Sequence, residues 1–291
     1  MTKTDKKYHG RLANHVERGT MKEKMKSVIL PNQVRIPYRV QGDQQGVTVI
    51  FLHGLADSSH TFELLLHFLP QFIHAIALDQ RGHGDASQPK FGYQTCDFVA
   101  DPLMFMDALQ IERAIIVGAS SGGFVARSFS LNHPKRTQGL VLLGTPAALG
   151  DNLSVLETWG NTISKLTDPV NPEFVRNFTM GLISQQVPQE FVEESIKDSL
   201  KVPAHVWIET FAGMLQEQFP DDLARIDVPT LVIWGEQDSV LTRSEQEAIT
   251  ETIPGSNLVV VTESGHMLYW ERPQFVASHV AKFIETVAKD D

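Results

Sequence analysis

The chain has 291 residues, 42% hydrophobic and 21% charged, which supplies a sizeable core and excludes a largely disordered polymer. The formal net charge is −10, and because residues 1–26 hold eight Lys or Arg against three acids, the remainder carries about −15. Such a body repels polyanions and makes nucleic acid a poor partner. No apolar run approaches the roughly 18 residues of a bilayer span, and the first residues lack the apolar stretch of a signal peptide. The lone Cys96 excludes an internal disulfide, and no Cys and His cluster has zinc-ligand spacing. A cytoplasmic protein without metal or cofactor is expected, acting on a small molecule. Residues 1–26 read as a basic polar extension, in which Asp5, Glu17 and Glu23 argue against a transit peptide.

Beyond residue 26, β-branched runs alternate with amphipathic stretches, the pattern of a mostly parallel sheet flanked by helices. Residues 28–30 and 34–40 predict an opening hairpin, and 47–52, 72–78, 113–118, 139–144, 230–234 and 257–261 predict buried strands. Helices are predicted at 58–69, 94–109, 121–132, 242–252 and 271–287; Ser58 or Ser59 caps the first, and Pro102 interrupts or restarts the second. Between the strands at 139–144 and 230–234 lie about 85 residues without a strand-like run. Helical periodicity there falls at 153–166, 173–182, 190–200 and 204–217, punctuated by Pro169, Pro172, Pro188, Pro203 and Pro220. The expected organisation is an α/β core over 27–145 and 223–291 with a helical cap inserted at 146–222.

The segment RAIIVGASSGGFVARSFS passes from strand to helix through Gly118-Ala119-Ser120-Ser121-Gly122. This fits G-x-S-x-G with both structural neighbours the motif requires. A serine hydroxyl stands clear of a sheet only at a sharp turn, and flanking glycines let the backbone close up there. Ser120 is therefore the candidate nucleophile. A register centred on Ser121 would put Ala119 where the first glycine belongs. The bland alternative, a Gly- and Ser-rich turn, is disfavoured by the strand-to-helix placement.

Four motifs occur in one order: FLHGLADS (51–58), DQRGHG (79–84), GASSGG (118–123), then WGEQD (234–238) with SGHMLYWERP (264–273). On these the sequence resembles the α/β-hydrolase superfamily over residues 27–287, and within it enol-lactone hydrolases and cofactor-free haloperoxidase-like esterases. The resemblance implies the α/β-hydrolase fold and a triad completed by Asp238 as acid and His266 as base. His266 occupies the base position of the pattern G-H-x-x-x-x-E-x-P, and the order Ser, Asp, His is the one the fold uses. Glu236 is the less favoured acid, and the other acid position, after the strand at 139–144, offers Gly144-Thr145-Pro146 and no carboxylate. The backbone N–H groups of Leu55 and Ser121 are implied as oxyanion donors. His53, Asp79 and Arg81 are implied as scaffolding.

Trp159, Trp207, Met214 and Met267 are the expected substrate-binding residues, the remaining cap aromatics forming the cap's own core. Dehalogenases and epoxide hydrolases of the family carry aspartate where Ser120 stands, and the latter use cap tyrosines; residues 146–222 contain no tyrosine. The expected reaction is hydrolysis of a small or medium apolar carboxylic ester or lactone through an acyl-enzyme on Ser120. Hydrolysis of a C–C bond in a vinylogous diketone, or a hydrolase-fold sensor of small molecules, are the alternatives the residues leave open.

Overall fold

The structure, a computed structural model, describes residues 25–218 and 221–290. The basic extension expected over 1–26 therefore lies outside the described residues except for its last two. The strands are β1 (Lys26–Ile29), β2 (Arg35–Gln41), β3 (Val47–Leu52), β4 (Ile73–Leu78), β5 (Ala114–Ala119), β6 (Thr137–Leu143), β7 (Thr230–Gly235) and β8 (Asn257–Val261). They form one sheet in the order β1-β2-β4-β3-β5-β6-β7-β8. Strand β2 is antiparallel to both its neighbours, and the pairs from β4 through β8 are parallel.

Alternation along the central strands fills both faces. Ile50, Leu52, Ile76, Leu78, Ile116, Leu140 and Leu142 share one core with α2 (Thr95–Ala108), α3 (Gly122–Asn132) and α8 (Arg243–Thr252), through residues such as Phe105, Phe129 and Ile249. Val49, Phe51, Ala75, Ala77, Ile115, Val117, Val141 and Leu143 share the other with α1 (Glu63–Leu66) and α10 (Pro273–Asp290), through Leu65, Val276 and Ile284. A two-residue period buried on both sides reads as a continuous apolar run, which is why these strands are so visible in the sequence. Ser58 caps the short helical turn before α1 by accepting from the His60 N–H.

Pro102 behaves differently from expectation. Helix α2 runs unbroken through it from Thr95 to Ala108. Phe98 and Phe105, before and after the proline, are both buried against the same face of the sheet, and this packing outweighs the one lost N–H.

Between β6 and β7 the chain forms α4 (Leu153–Asn161), α5 (Pro172–Gly181), α6 (Gln189–Ser199) and α7 (Ala204–Gln216). This excursion rests on loops that follow the C-terminal ends of the strands. The Ser58 hydroxyl donates to Asp198 at 2.6 Å, Lys201 pairs with Asp85 at 2.8 Å, and the Ser184 N–H donates to Glu271 at 2.6 Å. In a parallel sheet that end is where a crevice forms.

The loop after β4 is held by polar groups from the segments packed around it. Arg81 meets Asp101 through two bonds of 2.6 Å, and both side chains are almost fully buried. Asp79 accepts the N–H groups of Ser59 at 2.8 Å and Asp85 at 3.0 Å. The His53 ring bonds the Gly54 carbonyl at 2.7 Å and accepts the Gln80 N–H at 3.0 Å. These are the scaffolding roles expected for His53, Asp79 and Arg81. Burial lowers the pKa of His53 to about 4 and that of His83 to about 3, and it raises that of Asp57 to about 7.

Two predictions follow from these groups. Asp101→Ala leaves the Arg81 guanidinium buried without its carboxylate and should cost about 3 kcal/mol in urea unfolding; a cost below about 1 kcal/mol would show that solvent reaches the arginine. For pH, the unfolded chain protonates His53 and His83 near 6.5 and the folded chain only near 4 and 3. The stability they confer is thus complete above 6.5 and lost as pH falls through that window, while Asp57 titrates in the opposite sense between the ordinary carboxylate range and about 7. Melting temperature should rise from pH 4 to 6.5, and Asp57→Asn should steepen the rise. A shallower slope in that variant would reverse the sign assigned to Asp57.

Candidate active site

Strand β5 ends at Ala119, and the next residue, Ser120, turns the chain with φ +49° before α3 begins. A positive φ is strained for serine and persists only where the surroundings fix it. Here they do so by close backbone contact. A Cβ on Gly118 would come within 2.5 Å of the Gly122 carbonyl oxygen, and one on Gly122 within 2.3 Å of the Leu52 carbonyl oxygen. Ser120 stands partly exposed at the apex, its N–H donating to Leu143 at 2.9 Å.

The loop after β8 brings His266 to this serine. Its Nε2 lies 2.9 Å from Ser120 Oγ, and its Nδ1 lies 2.8 Å from Asp238 Oδ2. A carboxylate can only accept, so Nδ1 carries the proton and the Nε2 lone pair faces the serine hydroxyl. The second Asp238 oxygen accepts from the N–H groups of Val240 at 2.8 Å and Leu241 at 3.0 Å. Glu236, the rival acid, is exposed. His266 is 4% exposed, so imidazole and carboxylate meet shielded from water while the serine faces the opening.

Glu271, present in the sequence only as one letter of a pattern, holds the His266 loop. Its buried carboxylate accepts the Gly265 N–H at 2.5 Å, the Ser264 hydroxyl at 3.1 Å and the Ser184 N–H of the helical excursion. A glutamate five residues beyond His266 carries no signal for such a long-range role, because its partner Ser184 lies 87 residues away.

The N–H groups of Leu55 and Ser121 have no acceptor among the described residues. Both residues line one small cavity together with Gly54, Gly122, Phe124 and Met214. Unpaired main-chain donors are uncommon in folded interiors, and these two lie on one cavity lining beside the turn at Ser120 that leads into α3.

Of the expected substrate-binding residues, Met214 lines this cavity. Trp159 is half-buried and stacks on Phe211, with ring centroids 5.8 Å apart. Met267 is buried, its N–H donating to Leu182 and its sulfur accepting the Tyr269 hydroxyl. Trp207 is wholly buried, edge-on to Phe174 and Phe178 between α5 and α7. Among the described residues no group of three or more His, Cys, Asp or Glu is placed to hold a metal ion, and no helix is long and apolar enough to cross a membrane.

Residues 47–273 match the family model for the alpha/beta hydrolase fold. The chain is 26% identical to 3-oxoadipate enol-lactonase 2 of Acinetobacter baylyi, over 86% of this chain and 92% of that one. It is 25% identical to monoacylglycerol lipase abhd6-B of Xenopus laevis, over 84% of this chain and 77% of the relative. A crystal structure of a hydrolase from Pseudomonas aeruginosa superposes with a TM-score of 0.79 at 26% identity, covering 90% of this chain and 98% of that one. The extent of the family match, together with the eight-stranded order of the sheet, shows that the chain belongs to the α/β-hydrolase fold family.

Proposed function

We propose that this protein is a serine hydrolase that cleaves a small or medium apolar carboxylic ester or lactone through an acyl-enzyme on Ser120. The observation that carries the reading is the continuous chain Ser120 Oγ, His266, Asp238, with bonds of 2.9 and 2.8 Å, ending beside two main-chain N–H groups that lack acceptors. His266 takes the Ser120 proton as Oγ attacks the carbonyl carbon and returns it to the leaving alcohol, opening the ester or lactone bond. The same base then activates the water that hydrolyses the acyl-enzyme. The N–H groups of Leu55 and Ser121 receive the negative charge that develops on the carbonyl oxygen at each stage, a contribution worth about 3 kcal/mol per donor in related chemistry.

The helices between β6 and β7 act, on this reading, as a cap that shapes the substrate pocket. The walls contributed by Leu55, Phe124, Val125 and Met214 favour an apolar acyl group. The enol-lactonase and lipase names among the relatives accord with ester-type chemistry.

A fluorophosphonate probe should label Ser120, located by peptide mass spectrometry. Ser120→Ala should abolish labelling and turnover of p-nitrophenyl esters, while Ser121→Ala keeps its main-chain N–H and should retain much of the activity. An adduct on Ser121 would overturn the register of the motif. Asp238→Asn should leave the fold intact and lower kcat by something like 10⁴, by analogy with the protease aspartate, whereas Glu236→Gln should leave kcat within a factor of about two. The reverse pattern would transfer the acid role to Glu236.

A further inference from the structure

The cavity lined by Leu55 and Ser121 extends behind them to Gln80, His83 and Thr210, and its volume is about 20 Å³. That is the scale of one water molecule. Three buried side-chain atoms in this lining have no hydrogen-bond partner among the described residues: Gln80 Oε1, His83 Nε2 and Thr210 Oγ1. Burying three such atoms unpaired would be costly, and interiors seldom tolerate it.

The chemistry of the missing partner can be deduced from the bonds the same residues do make. Gln80 Nε2 donates to the His53 carbonyl at 2.7 Å, which fixes the amide with its oxygen toward the other side. His83 Nδ1 lies 2.8 Å from the Arg81 carbonyl and must donate to it, so in the neutral ring Nε2 is a bare lone pair. Burial keeps that ring neutral, its pKa lowered to about 3. The part of the cavity bounded by Gln80, His83 and Thr210 therefore offers two fixed acceptors and one hydroxyl, in addition to the N–H groups of Leu55 and Ser121 elsewhere on its lining. A carbonyl or carboxylate in that part would face lone pairs, and no acidic residue lines the cavity to compensate a buried cation.

We propose that this cavity is a binding site for a single neutral hydroxyl donor, supplied by water or by a hydroxyl on the acyl chain of the substrate. A water satisfies all three groups at once, donating to Gln80 and His83 and accepting from Thr210. An alcohol donates to one of the two acceptors and accepts from Thr210. A water, or an alcohol that donates to Gln80, links Thr210 on α7 to Gln80, and through Gln80 to the His53 carbonyl at the start of the loop that carries Leu55. The occupant thereby couples the helical excursion to that loop. The substrate arm rests on the ester-hydrolase reading above, and the water arm does not.

The test combines a high-resolution crystal structure of the substrate-free protein with kcat/KM for aryl butanoates that are unsubstituted, singly hydroxylated at C2, C3 or C4, or carry a 3-oxo group. If water is the source, density for one water lies within hydrogen-bond distance of Gln80 Oε1 and His83 Nε2, disappears in Thr210→Val or shifts there, and no hydroxylated ester is preferred. If the substrate is the source, one hydroxylated ester is preferred by about tenfold, the equivalent of a hydrogen bond. That ratio should fall toward one in Thr210→Val and recover in Thr210→Ser, so a folding defect in the valine variant is recognised by the serine variant. An empty cavity with no hydroxyl preference, or a preference for the oxo ester, overturns the proposal. Ester turnover with an empty, indifferent cavity would leave the Ser120 reading standing, whereas an ordered water without turnover would leave only the site.

Discussion

The close crossing of backbone at the end of β5 is the constraint on which the rest depends. Gly122 passes so near the carbonyl groups of Leu52 and His53 that a side chain would meet their oxygens at 2.3 and 2.5 Å. That contact ties β3 and its following loop to the first turn of α3, between which Ser120 takes its positive φ. Two consequences arise together. The serine hydroxyl is lifted off the sheet, and the N–H groups of Leu55 and Ser121 are left without acceptors among the described residues. One steric fact thus accounts for both the raised hydroxyl and the free main-chain dipoles near it.

Positioning of the remaining two groups is delegated to carboxylates that do no chemistry themselves or only half of it. Asp238 uses one oxygen on His266 and the other on two main-chain N–H groups, so its orientation is fixed before any substrate arrives. Glu271 does the same for the loop under His266 and reaches across to Ser184 in the helical excursion. Each charge is spent on donors that must be satisfied anyway. The imidazole and the carboxylate are therefore held by hydrogen bonds made entirely within the protein.

Legibility in the sequence follows the range of the interaction that matters. The strands were evident because burial on both faces turns a two-residue period into an apolar run, and their order along the chain sufficed to predict a mostly parallel sheet. Ser120 was evident because its strain is relieved by immediate neighbours, Gly118 and Gly122. His266 and Asp238 needed family resemblance, since nothing local marks them, and only the geometry relates them to Ser120. Glu271, Gln80 and Thr210 were not singled out, because their partners lie on distant segments and their side chains are unremarkable in isolation. At Trp207 the same limit operates: the periodicity of α7 says that a face is buried, but not whether it is buried by α5 or by a ligand. Pro102 shows a local rule yielding to packing spread over the whole of α2.

The helical excursion is attached at both sides of the site by different kinds of bond. On one side Asp198 and Lys201 meet Ser58 and Asp85 through polar contacts that are partly open to solvent. Such pairs contribute little stability and exchange readily with water. On the other side Glu271 is buried, and its bond to Ser184 shares a carboxylate with the loop that holds His266. Separating the excursion from the core at Ser184 would leave one oxygen of a buried carboxylate without a donor, which costs more than losing an exposed pair. The contacts of Asp198 and Lys201 are therefore the weaker attachment, and the bond to Ser184 ties the excursion to the loop that carries His266.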